Sequence, residues 1–164
     1  MQRINDIVIF RIGLQEFCLD TQDVLEVSRM VPFAVPPQEI EQVAGVVTFR
    51  GEVVCVLDLH AALRQPRRVD LVDAALLFVR HRHTTLGIIV DEVIDVTALG
   101  GEVVATDRTA QAPFRSTEVR STLDLATTAV RIDDRLIFRL DLEKLLPFHQ
   151  GAVVAVESSH ASGT

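Results

Sequence analysis

Five histidines, two cysteines and 23 acidic residues are the raw material for chemistry in this 164-residue chain. His81 and His83 stand two apart, the spacing at which a β-strand turns both rings to one side and offers two nitrogens to a metal ion. A zinc site needs three or four ligands, and no other Cys or His stands at ligand spacing, so the pair reads as exposed turn histidines. Cys18 and Cys55 lie inside alternating apolar stretches, where a reduced thiol behaves as a small hydrophobe. Glu26 with Asp95, or Asp91 with Glu92, could share a proton and serve as acid and base. Their neighbours are surface turns, and Asp58 and Asp141 each precede a short apolar run as helix caps do, so these carboxylates read as solvated or structural. Phosphate-binding loops of the G-x-x-x-x-G-K or G-x-G-x-x-G kind and the G-x-S-x-G elbow are all absent. No catalytic residue, metal or cofactor is therefore expected.

What remains must work by shape and charge. Hydrophobic residues make up 48% of the chain and the mean hydropathy is +0.29, which excludes disorder for its bulk and predicts a folded core of one-domain size. A net charge of −7 repels polyanions, and with neither Trp nor Tyr the stacking platforms of single-strand binders are missing. Nucleic acid is excluded as a partner. The basic cluster of Arg64, Arg67 and Arg68, with Arg80 and Arg82 beyond it, reads as a solvated linker. The longest apolar run, Ala74 to Val79, is far short of the roughly 20 residues a spanning helix needs, and Met1 to Asp6 lacks the order of a signal peptide. The expectation is a cytoplasmic protein with no direct membrane insertion.

Short runs of Val, Ile, Leu and Phe between turn residues predict a mainly all-β chain. Strands are expected at Ile7 to Ile12, Gln15 to Leu19, Leu25 to Met30, Gly45 to Phe49, Val53 to Asp58, Ala74 to Arg80, Thr85 to Val90, Val93 to Ala98, Thr128 to Ile132 and Arg135 to Leu140. Gln38 to Val43 is expected to form one helical turn. Asp58 should cap a short helix over Leu59 to Leu63, and Asp141 another over Leu142 to Leu146 that stops before Pro147. Gly100-Gly101 opens a long irregular stretch, the 99–121 loop, and residues 149–164 read as a flexible tail.

The chain also resembles itself. Val24-Leu25-Glu26-Val27 recurs as Val93-Ile94-Asp95-Val96, 69 residues on, and Glu52 to Leu63 recurs as Arg135 to Leu146 at an offset of 83. Two packed five-stranded β-barrels would bury both apolar faces and leave few open edges.

Gly45-Val46-Val47-Thr48-Phe49-Arg50-Gly51-Glu52-Val53-Val54-Cys55-Val56-Leu57-Asp58-Leu59 resembles the CheW-like domain, whose pattern here is G-V-I-N-L-R-G, two apolar residues, then P-V-x-D-L. Leu86 to Val96 is similar to the family's second hallmark, and Asp134-Arg135-Leu136 to Asp141-Leu142-Glu143-Lys144-Leu145-Leu146 to its closing strand and helix. The chain departs from the pattern at Thr48, Phe49, Cys55 and Thr127. The resemblance implies one CheW-like domain over 1–148, built of two SH3-like β-barrel subdomains, about 13–68 and 69–148, with the N-terminal strand able to cross to the second barrel. It implies a non-catalytic adaptor linking the cytoplasmic tip of methyl-accepting chemoreceptors to the regulatory domain of a CheA-type histidine kinase, recruited to membrane-associated receptor arrays. A CheW-like coupler of a pilus-motility or other chemosensory-like kinase pathway is the alternative, followed by a small-ligand or metal-binding β-barrel protein. By the same resemblance Val8, Val24, Val27 and Val93 line a receptor groove, and Glu26, Arg50 and Gly51 serve coupling and kinase contact. The resemblance, together with opposite charge and hairpin geometry, further predicts an ion pair between Glu26 and Arg50.

Overall fold

The computed structural model describes residues 6–35, 39–100, 102–104 and 124–150. Eleven strands run in chain order as β1 (Asp6–Ile12), β2 (Gln15–Asp20), β3 (Val24–Arg29), β4 (Val43–Phe49), β5 (Glu52–Leu57), β6 (Ala75–His81), β7 (Thr84–Val90), β8 (Glu92–Ala98), β9 (Glu102–Val104), β10 (Ala126–Ile132) and β11 (Arg135–Leu140). The turns that join them follow from local chemistry. β1 and β2 meet through Gly13-Leu14, with Gly13 at φ +63°, and three further hairpins place both central residues at positive φ: Arg50-Gly51, Arg82-His83 and Asp133-Asp134. Two-residue turns of that hand match the right-handed twist of the strands they connect.

Two mixed sheets result, one ordered β8-β1-β2-β11-β10-β9 and the other β3-β6-β7-β5-β4. The first carries six strands rather than the expected five, because Glu102–Val104 inside the expected loop pairs with β10. Most of the rest of the 99–121 loop, and the tail beyond residue 150, fall outside the described residues. The ladders form open sheets rather than closed barrels, although an isolated bridge between Ala34 and Val46 joins the segment after β3 to β4 at the opposite edge.

The division at 68/69 does not coincide with the sheets. Residues 24–90 supply the whole five-stranded sheet, and the six-stranded one takes β1 and β2 from before it and β8 to β11 from after it. The physical reason is a reciprocal exchange. Hairpin β1–β2 pairs with β8 and, in parallel, with β11; hairpin β6–β7 pairs with β3 and, in parallel, with β5. Each hairpin thus receives the strands that follow the other, so both β1 and β2 cross over. The repeat extends to detail: β3 and β8 each carry a bulge at the same place in their matching motifs, beside Leu25 and Ile94.

Packing explains why many strands read as continuous apolar runs. Cys55, Leu57, Leu77, Val79, Leu86 and Ile88 of one sheet pack with Phe10, Phe17, Leu19, Phe138 and Leu140 of the other in a shared core. The alternate residues Val54, Val56, Leu76, Phe78 and Ile89 face a second cluster, while Ile7, Ile9, Cys18 and Ile137 face a third. Strands buried on both faces lose their polar alternation.

Short helices differ from expectation. Residues 41–42 form a turn, with no helix across Gln38 to Val43 among the described residues. The segment after Asp58 is a single turn: Leu63 N–H donates to the Leu59 carbonyl, and Arg64 at φ +52° ends it with the Gln65 N–H donating to the His60 carbonyl. That is a Schellman-type stop, which halts the helix after one turn. Asp141 caps a 3-10 turn over Leu142–Leu145, accepting from the Glu143 N–H, and residues 146–150 continue as α-helix. Pro147 sits in its first turn, where a missing N–H costs nothing, so it does not stop the helix.

Gly45 is required by close approach. A Cβ there would lie 2.4 Å from the Ala34 carbonyl oxygen and 2.5 Å from the Phe33 ring, whereas one on Gly51 meets nothing within 4 Å. Gly45→Ala is therefore expected to lower the unfolding free energy by about 1 to 3 kcal/mol through overpacking at the Ala34–Val46 bridge. Gly51→Ala should cost about 1 to 2 kcal/mol through its positive φ alone. Urea denaturation, with hydrogen exchange at the Ala34 and Val46 amides, separates the two: only Gly45→Ala should expose them.

Candidate functional site

Strands β3 and β8 are sheet edges, and their bulged motifs set out the candidate surface. Val24 pairs with Val79 and Val93 with Phe10, so both point to the shared core and are half-buried against it. Past the bulge, Val27 is 45% exposed and its repeat counterpart Val96 is 58% exposed. Val8, opposite Val96, is 4% exposed. Of the four valines expected in a groove, Val8 is thus a core residue, because the strands on both sides of β1 cover it. Val96 escaped the sequence reading although the repeat that matched Val27 to it was already visible.

Glu26 projects from β3 opposite Val27 in the strand's alternation. Its carboxylate lies 3.6 Å from the Arg50 guanidinium, which places the expected ion pair at the β4–β5 turn, with both side chains substantially exposed. The contact exists because the sheet curls until its β3 and β4 edges approach. Arg50 also lies 4.8 Å over the Phe49 ring, and Phe49 stacks on Phe78 at 4.0 Å between centroids. Phe49, a departure from the family pattern, therefore carries the arginine on a ring anchored to the second core cluster. Gly51 at φ +80° completes the turn.

The carboxylates weighed as acid–base pairs each have other partners. Glu26 pairs with Arg50, Asp95 accepts from the Val96 N–H, and Glu92 accepts from Arg11 at 3.0 Å. Asp91, expected beside a surface turn, is 4% exposed. Its burial follows from its place at the direct junction of β7 and β8, where the chain passes between the sheets. There Oδ1 receives Nε2 of His60 at 2.7 Å and Oδ2 the Gly13 N–H at 2.7 Å, while Nδ1 of His60 lies 2.8 Å from Oδ1 of Asp58. Asp58 caps its turn through the His60 N–H and also pairs with Arg67. Both ring nitrogens are engaged and His60 is 6% exposed, so this Asp-His-Asp set presents no free base to a substrate. No signal in the sequence marked His60 as anything but one more histidine.

Burial pushes the thiols of Cys18 and Cys55 up to about 11, so both are protonated and inert at neutral pH. His81 lies against Glu143 at 2.6 Å, not beside a second histidine ligand, and no group of three or more His, Cys, Asp or Glu that could hold a metal occurs among the described residues. Nor, among those residues, is any helix long and apolar enough to cross a membrane.

The stability of this surface is separable from its exposure. Val8→Ala is expected to cost about 1 to 3 kcal/mol of unfolding free energy, Val27→Ala within about 0.5 kcal/mol of nothing, and Arg50→Ala less than about 1 kcal/mol. Chemical denaturation of the three variants measures the order directly.

Similarity to known proteins extends over most of the chain. The family model for the CheW-like domain matches residues 6–149. A probable chemotaxis protein CheW of Rhizobium etli is 28% identical over 143 residues, covering 86% of each chain. The chemotaxis protein CheW of Rhizobium meliloti is 24% identical, covering 87% of this chain and 88% of that one. The crystal structure of the scaffolding protein TtCheW from Thermoanaerobacter tengcongensis superposes with a TM-score of 0.68 at 24% identity, covering 87% of each chain, and shares the fold.

Proposed function

This chain belongs to the CheW-like domain family, and from that premise we propose that it is a non-catalytic adaptor of chemotaxis signalling, which holds the cytoplasmic tip of a chemoreceptor and the regulatory domain of a CheA-type histidine kinase together. The observation that carries the reading is the family match across residues 6–149 of the 164. The character of the surface supports it: polar and apolar docking features on edge strands, with the one buried acid–base cluster among the described residues closed to substrate. An adaptor of this kind works from the cytoplasm and reaches the membrane through its receptor.

The two partners would use opposite sides of β3. Val24 and Val27, with Val93 and Val96 from β8, offer apolar side chains to a receptor helix, an anchor arrangement suited to helix-in-groove recognition, and Val8 serves as floor beneath them. Glu26, Arg50 and Gly51 would form the coupling contact with the kinase. An ion pair this exposed contributes little to stability, so its value lies in presenting the guanidinium in one orientation.

Co-sedimentation of the purified protein with receptor tips and kinase tests the proposal. Both partners should bind, Val27→Ala and Val93→Ala should weaken receptor binding, and Arg50→Ala should reduce kinase activation while receptor binding and the melting temperature stay near wild type. Binding of only one partner, or hydrolysis of nucleotide by the protein alone, would overturn it.

A further inference from the structure

His60 links the segments that follow two paired strands, β5 and β7, and through Asp91 reaches a turn of the other sheet. It stands in the turn after β5, while Asp91 lies at the β7–β8 junction and passes the contact to the β1–β2 turn through the Gly13 N–H. The same turn is held a second time by the Leu14 N–H donating to Oε1 of Gln65 at 2.8 Å. A carboxylate only accepts hydrogen bonds, and a neutral imidazole donates from one nitrogen alone. With carboxylate oxygens at 2.8 Å from Nδ1 and 2.7 Å from Nε2, both contacts are hydrogen bonds only when the ring carries two protons.

We propose that the His60 imidazolium is a protonation-controlled clasp between the two sheets, tying the turn after β5 to Asp91 and thereby to the β1–β2 turn, and releasing Asp91 when the ring becomes neutral. Release requires that the neutral ring keep its proton toward Asp58, which is two residues away and already bonded to the His60 backbone. Its Nε2 lone pair then faces the Asp91 oxygen, and a buried carboxylate is left with the Gly13 N–H at 2.7 Å and a longer contact to the Arg68 N–H at 3.4 Å. An uncompensated buried charge draws in water and loosens its surroundings.

The charged groups around the ring are few. Asp58 and Asp91 face it directly, the Arg67 guanidinium lies beyond Asp58, and β1 contributes backbone only, since Arg11 and Glu92 pair with each other outside. Burial, the largest single influence, favours the neutral ring, but the hydrogen bonds to Asp58 and Asp91 and then their charges outweigh it and hold His60 above its ordinary value. Burial likewise favours neutral Asp58, and the bonds from His60 with the charges of Arg67 and His60 hold it below the usual carboxylate range instead. The sign follows. A histidine raised on folding contributes its stability in full below about pH 6.5 and loses it as pH climbs through the folded value. A lowered aspartate contributes above about pH 4 and loses it as pH falls. The clasp is closed between these limits and opens on the alkaline side.

NMR of the intact chain between about pH 5.5 and about pH 9, following the His60 ring and amide exchange corrected for its intrinsic pH dependence, tests this. Protection at Gly13 and Asp91 should fall with the same midpoint as the His60 titration, about tenfold for each unit by which that midpoint exceeds about 6.5. His81, with a single carboxylate partner that a neutral ring also satisfies, should show no such link to the amides of its turn. His60→Gln should abolish the pH dependence at Gly13, and the wild-type coincidence decides the matter even where that variant does not fold. A His60 midpoint at or below about 6.5, or Gly13 protection that does not change across the titration, would overturn the proposal.

Discussion

Everything in this domain depends on the exchange of strands between two matching hairpins. Neither β1–β2 nor β6–β7 can complete a sheet from the chain that follows it, because that chain is committed to the other sheet. The parallel contacts of β2 with β11 and of β5 with β7 hold each sheet together across long sequence separations. Hydrophobic burial follows from this topology: one face of each sheet forms the shared core, and the other faces a cluster of its own. The connections between β2 and β3 and between β7 and β8 are so short that the two edge strands are fixed in the act of crossing.

The exchange is secured at its ends by equivalent polar contacts with unequal chemistry. The Asp58 N–H donates to the Gln42 carbonyl and the Asp141 N–H to the Leu125 carbonyl, and each aspartate accepts from the N–H two residues on. From those equivalent places His60 reaches toward the β1–β2 turn, while Glu143 reaches His81 and Arg82 in the β6–β7 turn. Each sheet's capping segment therefore grips the other sheet's hairpin. One grip is buried and ionic, with every polar atom matched; the other is exposed and contributes less.

Much of this was legible in the sequence because it is local. Strand positions followed apolar runs and turn residues, and Asp58 and Asp141 were recognisable as caps. The VLEV and VIDV strings announced the repeat. What could not be read was partnership at a distance: the repeat showed that two units existed, but not that each lends its later strands to the other. Val8 reads like Val24 on any scale, and only coverage of β1 by neighbours on both sides makes it core. Asp91 next to Glu92 looked like a surface pair, but the chain passes between the sheets there, and the partner of the buried carboxylate is a histidine 31 residues earlier. The Glu26–Arg50 pair was foreseen from opposite charge, hairpin geometry and the family resemblance.

The adaptor account rests on two surfaces that do not overlap, with the valines of β3 and β8 on one side and Glu26, Arg50 and Gly51 on the other. Saturating the isotope-labelled protein with kinase regulatory domain and then titrating in receptor tip tests it most directly. The account predicts a ternary complex, with receptor-induced shifts centred on Val27, Val93 and Val96 and those of Arg50 and Gly51 still in their kinase-bound positions. Displacement of the kinase domain by the receptor tip, or convergence of both sets of shifts on one patch, would contradict it.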